Sequence, residues 1–199
     1  EYGVYLLSDE IHADFGMTRP YTTAGRFEKI HDRLVVYTAI SKTFNMAGLG
    51  SSCMMIPNPE LKQKISDSYD ACWMFGPCDL AFTAMEAAYT HGDAWVDQQL
   101  AYLEGNVETV NTFVAEHMPG VQVTKHEGTF LMWLDMTCFG KSSRELTSIL
   151  AKEYGLALGD GSHYGTQAEG FMRLNIGCTR DTLIKGLEQM AVMYDKYVK

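Results

Sequence analysis

Two short polar runs, each placed directly after an apolar stretch, carry the chemistry that can be read from this chain. Ser8-Asp9-Glu10-Ile11-His12 follows Val4-Tyr5-Leu6-Leu7, and Ser41-Lys42-Thr43-Phe44-Asn45 follows Leu34-Val35-Val36-Tyr37. Sheets of α/β type collect their ligands just beyond the carboxyl ends of the strands. A lysine held in such a crevice is an amine nucleophile toward a carbonyl group, and it serves as a base once released. A carboxylate at the end of a neighbouring strand can balance a protonated ring nitrogen, because buried charge must be compensated. Either group alone reads as a solvated surface charge. Together, in this order, they point to an amine that binds an aldehyde opposite an acid that keeps a ring cationic.

The elements that must position these groups follow from pattern. Val4–Leu7, Leu34–Tyr37 and Ser52–Ile56 read as strands, the first of them buried, alternating with loops and helices as in an α/β layer. Asn58-Pro59-Glu60 opens a helix, with Asn as N-cap and Pro at the first helical position. That helix runs to about Ala71, and Gly76-Pro77 breaks the chain before a second helix from about Asp79 to Thr90. From Ala94 a long helix carries Val96, Leu100, Leu103, Val107, Val110 and Val114 as one apolar stripe, until Pro119-Gly120 ends it.

Beyond it, Val121–Thr124 and Phe130–Met136 read as an antiparallel pair, and Ser142-Ser143-Arg144-Glu145 as a capping box opening a helix to about Tyr154. Leu156–Leu158 and Phe171–Asn175 read as short strands. Thr179 caps a last helix with Leu183, Leu187, Met190 and Tyr194 on one side. The expected division is a part of a large α/β domain over 1–96, a connecting helix over 97–118, and a smaller α+β domain over 119–199. Gly159-Asp160-Gly161-Ser162-His163-Tyr164-Gly165 has the spacing of neither a P-loop nor GxGxxG, so a flexible loop facing the site is expected there. Trp73, Met74 and Phe75 are expected in core or interface.

Composition narrows the function classes. The 199 residues are 46% hydrophobic, enough for a substantial core. A formal charge of -9 argues against a nucleic-acid partner, which calls for a basic stripe. No apolar run approaches the roughly 18 residues of a membrane span, and no signal peptide is read at the start. The five scattered cysteines are expected as reduced, mostly buried thiols, and neither they nor the six histidines have metal-ligand spacing. A cytoplasmic protein is expected. A strand opening after only three residues reads as the C-terminal part of a longer protein, and such a piece alone is expected to expose an unpaired sheet edge.

The two polar runs, followed by Phe171-Met172-Arg173-Leu174-Asn175-Ile176-Gly177-Cys178, resemble the fold-type I pyridoxal 5'-phosphate (PLP) enzymes of the class I/II aminotransferase superfamily. Within it the Asp-Glu-Ile-His form resembles the cystathionine β-lyase-like C–S lyase branch. The likeness spans essentially the whole chain, with three separated motifs in order. It implies a mostly parallel sheet in the large domain and a smaller α+β C-terminal domain. It implies Lys42 as the covalent anchor and catalytic base, Asp9 as partner of the cofactor's pyridine nitrogen, and His12 as donor to its phenolic oxygen. It further implies Arg173 as the clamp on the substrate carboxylate, a planar fork suited to two parallel hydrogen bonds.

There are departures. Many aminotransferases carry Ser three residues before the lysine and Arg eight residues after it, both on the cofactor phosphate. Here those positions are Ala39 and Gly50, which leaves Ser41 and Thr38 as hydroxyl donors. The resemblance therefore implies a homodimeric carbon–sulfur β-lyase acting on an amino-acid substrate, cystathionine or a cysteine S-conjugate. An aminotransferase on the same fold, or a catalytically incomplete C-terminal piece, are the other readings.

Overall fold

In a computed structural model, which describes residues 2–74 and 76–199, the chain forms two compact units, 1–99 and 100–199. The first is built on a three-stranded sheet: β1 (Leu6–Asp9), β2 (Leu34–Thr38), then a single helical turn α1 (Ile40–Thr43), and β3 (Cys53–Met55). β1 runs parallel to β2, with Asp9 opposite Tyr37, and β3 pairs antiparallel to β2. β2 lies in the middle, and its Leu34, Val35 and Val36 are buried. α2 (Pro59–Ala71) and α3 (Asp79–His91) follow. Asn58 caps α2 as expected, its side chain accepting from the amides of Glu60 and Leu61. α4 (Asp93–His117) begins in this unit, and the division between units falls within it.

In the second unit a four-stranded antiparallel sheet has the order β4 (Gln122–Val123), β5 (Leu131–Asp135), β7 (Phe171–Asn175), β6 (Gly159–Asp160). α5 (Ser143–Tyr154) and α6 (Arg180–Tyr197) pack together. Alternation sorts the two faces of the sheet. Met132, Leu134 and Met172 are buried, as are Leu146 and Leu150 of α5 and Leu183, Leu187, Met190 and Tyr194 of α6. Trp133, Phe171 and Arg173 alternate to the other face. The capping box is complete: Ser142 accepts from the Glu145 amide while the Glu145 carboxylate accepts from Ser142 N–H and Oγ–H. Those two bonds hold the Glu145 carboxyl below its usual range.

Several expectations are corrected. The first strand starts two residues late and is an edge, so Val4, Tyr5, Leu6 and Leu7 are exposed rather than buried. All five cysteines are free, but none is buried: Cys72 and Cys78 are exposed and the other three half-buried. Partial burial pushes the Cys138 and Cys178 thiols up. Leu156–Leu158 forms no strand; the ladder begins at Gly159, opposite Arg173. Nor is 159–165 all loop. It enters as β6 and continues as a 3-10 turn, Gly161–Tyr164, capped by Asp160, whose carboxylate accepts from Ser162. Trp73 and Met74 are exposed, which removes the core half of the core-or-interface expectation and leaves the interface half standing, and Phe75 lies outside the described residues.

Asn106 was missed by the apolar stripe. It sits fully buried on α4 one step before Val107, which is only half-buried. Its Nδ2 donates to the carbonyls of Ile176 and Cys178 at 2.8 and 3.1 Å, and its Oδ1 accepts from Arg180 Nε. It thereby fixes the chain just after β7. Asn106→Leu keeps the volume but leaves those groups unpaired, at roughly 1–3 kcal/mol for each group left dry. Denaturant unfolding is expected to show a loss of about 3 kcal/mol, and a change below about 0.5 kcal/mol, the scatter of ordinary surface substitutions, would dismiss the lock.

Candidate active site

The parallel pair β1–β2 brings the two polar runs to one edge of the sheet. Asp9 ends β1, Thr38 ends β2, and Ser41 and Lys42 stand on α1 immediately beyond. Asp9 Oδ1 accepts from Ile11 N at 3.1 Å, which turns the chain back after the strand. Asp9 itself is exposed, against the expectation of a buried carboxylate. The buried acid is its neighbour Glu10, whose Oε1 accepts from Ser8 Oγ at 3.0 Å and from Ala24 N at 2.8 Å. Glu10 is thus a structural brace for the strand end, and Asp9 is left facing outward with Oδ2 bonded to no described residue. The inward acid lies just past β1, where Ser8 Oγ and the Ala24 amide meet the Glu10 carboxylate.

Thr38, Ser41 and Lys42 are half-buried. Lys42 Nζ and Ser41 Oγ make no hydrogen bond or ion pair with any described residue. His12 is half-buried too, its ring 5.9 Å from that of Phe15. Tyr89 of α3 was not singled out by sequence. Its phenol is pushed up by partial burial, pulled back by the hydroxyl of Thr38, and pushed further by Cys53 and Asp14. Tyr89 therefore stands beside the same strand end as Thr38. A lone tyrosine on an amphipathic helix carries no sequence signal that would have marked it.

The two departing positions have different local settings. Ala39 is buried and extended between β2 and α1. Gly50 closes a 3-10 turn in the left-handed region, φ 57°, where a long side chain is strained. The position suits glycine for backbone reasons.

Phe44 packs against a core of Ile40, Met85 and Ala88, and Gly92 comes close to its ring. A Cβ at Gly92 would land on the Phe44 ring and on the Ala88 carbonyl. Gly92→Ala is therefore expected to displace Phe44, two residues from Lys42, and to cost about 1–3 kcal/mol by overpacking. Thermal unfolding checks this, and an unchanged midpoint would refute the close approach.

Arg173 belongs to the second unit. It lies on β7 between Trp133 of β5 and Gly159 of β6 in register. Its guanidinium lies 5.2 Å from the ring centre of Tyr164, and no described carboxylate pairs with it. A Cβ on Gly159 would come within 3.2 Å of Arg173 Nε, so the glycine leaves room for the fork. Trp133 stacks on Phe171 at 5.7 Å and meets Tyr164 edge-on at 5.5 Å. The result is one unpaired cation in an aromatic setting, an arrangement suited to a carboxylate ligand.

A family model, aminotransferase class I and II, matches residues 1–190, and the chain belongs to that family. It is 38% identical over 192 residues to cystathionine beta-lyase PatB of Bacillus subtilis (strain 168), covering 96% of this chain and 50% of that protein. It is 30% identical over 195 residues to protein MalY of Escherichia coli (strain K12), covering 94% and 48%. Among solved structures it is similar to cystalysin of Treponema denticola, which contains a pyridoxal 5'-phosphate cofactor. That match has a TM-score of 0.91 at 28% identity and covers 98% of this chain and 50% of that one. The PLP-bound C-S lyase of Staphylococcus hominis matches with a TM-score of 0.87 at 25% identity, covering 98% and 51%. The chain spans about half the length of the curated relatives it matches. The fold is that of the fold-type I PLP enzymes.

Proposed function

We propose that this chain supplies the anchoring lysine and the substrate clamp of a PLP-dependent carbon–sulfur β-lyase that cleaves cystathionine or a related cysteine S-conjugate. The observation that carries the reading is the shared strand end: Asp9 ends β1 and Lys42 stands just beyond the carboxyl end of its parallel partner β2, each with an unpartnered polar atom. The donor set fits the cofactor. Lys42 offers a free amine, Asp9 a free carboxylate oxygen, and Ser41 and Thr38 hydroxyls for a phosphate. His12 offers an imidazole for a phenolic oxygen.

PLP, when bound, supplies the electron sink for a carbanion at the substrate Cα. Asp9 would hold the proton on the ring nitrogen, the charge that deepens that sink. Lys42 would hold the cofactor through Nζ and, with substrate bound, would accept the Cα proton on that same atom. Arg173 grips the substrate carboxylate and orients the bond to be broken, an entropic contribution rather than a chemical one. Thiolate then departs from Cβ, and with water the products are thiol, pyruvate and ammonia. The names borne by PatB and the Staphylococcus hominis structure support a lyase. In this reading the whole protein is a cytoplasmic homodimer.

The test is incubation of the whole protein with cystathionine in the absence of any keto acid. A lyase releases pyruvate and thiol over many turnovers. Turnover that stops after one equivalent of amino group has been transferred would replace the reading with an aminotransferase. No reaction, and no cofactor bound, would leave a non-catalytic piece.

A further inference from the structure

We infer that Asp14 is a positioning residue for Lys42, acting through Thr43; this deepens the PLP reading and rests on it. Lys42 stands on a helix of only four residues, α1, which cannot hold its own geometry, because helix nucleation is unfavourable and short helices depend on their packing. What fixes α1 is Thr43. It is the neighbour of Lys42 and 1% exposed, and it is held from two sides. Its hydroxyl donates to Asp14 Oδ2 at 2.7 Å, and its carbonyl accepts from Trp95 Nε1 at 3.1 Å. Asp14 is itself well placed to hold it. It lies in the 3-10 turn Ala13–Phe15, which is nailed down by Phe15 at 2% exposure.

The bond between Asp14 and Thr43 joins residues 29 apart in sequence. It ties the segment leaving β1, with Asp9 and His12, to the segment leaving β2, with Thr38, Ser41 and Lys42. It is also charge-assisted, the stronger kind of hydroxyl hydrogen bond. A lysine that must meet both a ring aldehyde and a substrate Cα tolerates little drift, since a misplacement of about 1 Å costs on the order of 100-fold in rate. Asp14 needs no contact with substrate to matter.

The experiment uses the whole protein loaded with PLP and compares Asp14→Ala, Asp14→Asn, Thr43→Val, Thr43→Ser and the pair Asp14→Ala with Thr43→Val. Asp14 is exposed, so its truncation removes no core volume, and the Thr43→Val side chain is similar in size. Asp14→Ala and Thr43→Val are each expected to lower kcat about tenfold with KM within about threefold, the partial-drift case. The visible circular dichroism per bound cofactor, which reports how firmly the ring is held, is expected to fall with it. Asp14→Asn keeps an acceptor and Thr43→Ser keeps the donor, and both are expected to restore the signal. The double variant is expected to be no worse than either single one, because both remove the same bond. Borohydride is expected to trap PLP on the chain in every variant. Losses that multiply in the double variant, or unchanged kcat and dichroism in the single ones, would overturn the role while leaving the trap intact. Failure of the trap in the unmodified protein would instead bring down the PLP reading and this inference with it.

Discussion

Lys42→Ala is expected to abolish the covalent link between the chain and PLP and to reduce lyase turnover to background. The expectation rests on two properties of the site. Lys42 Nζ is the amine beyond the carboxyl end of β2, and it is engaged by no described residue, so no protein bond must be broken to free it. The same atom has two duties, anchor and base, and alanine removes both. Loss of a general base alone typically costs about 10²- to 10⁴-fold; loss of the anchor as well adds to that. Borohydride reduction followed by peptide mapping is the direct measurement. The adduct should map to the peptide holding Ser41-Lys42-Thr43 in the unmodified protein and vanish in the variant. An adduct that survives Lys42→Ala, or maps elsewhere, would remove Lys42 from the mechanism. An added primary amine that partly restores turnover would show that the proton-transfer role was lost separately from the anchor.

The strand-end motifs were legible because they rest on strong local rules. β-branched runs at Leu34–Tyr37, the Asn58-Pro59 helix start and the Ser142–Glu145 box all have short-range causes, and each stands where its residues put it. What stayed hidden depends on neighbours distant in sequence. Which of Asp9 and Glu10 turns inward is decided by the Ala24 amide, fourteen residues beyond Glu10, and an acidic pair looks the same from either side. Asn106 interrupts an apolar stripe with a polar residue, so periodicity passes over it, although it is the buried residue that pins the end of β7. Gly159-Asp160 has poor strand propensity, and only the register with Arg173 and Met172 makes it a strand. The Asp14–Thr43 bond has no signature at all, because a surface aspartate and a core threonine are each unremarkable alone.

Asp9→Asn is expected to leave PLP attached to Lys42 while lowering kcat by several orders of magnitude. The substitution is nearly isosteric, and the amide oxygen can still accept from Ile11 N, the hydrogen bond that Asp9 contributes to the turn after β1. What disappears is the charge. A neutral amide cannot hold a proton on the ring nitrogen, and an unprotonated ring stabilises the Cα carbanion far less well. A thousandfold loss corresponds to about 4 kcal/mol of barrier, well beyond what one ordinary hydrogen bond contributes, about 0.5–1.5 kcal/mol. The size of the effect therefore separates an electronic role from a structural one. Asp9 is exposed in this structure, so a merely structural Asp9 predicts a small effect, as for other surface substitutions. The companion control is Glu10→Gln. Glu10 braces the strand end through Ser8 Oγ and Ala24 N, so its loss should show mainly in unfolding measurements and only modestly in kcat. Rates for Asp9→Asn within tenfold of the unmodified protein, about 1.4 kcal/mol of barrier, would refute the assignment. A larger loss from Glu10→Gln than from Asp9→Asn would move the role to the neighbouring acid.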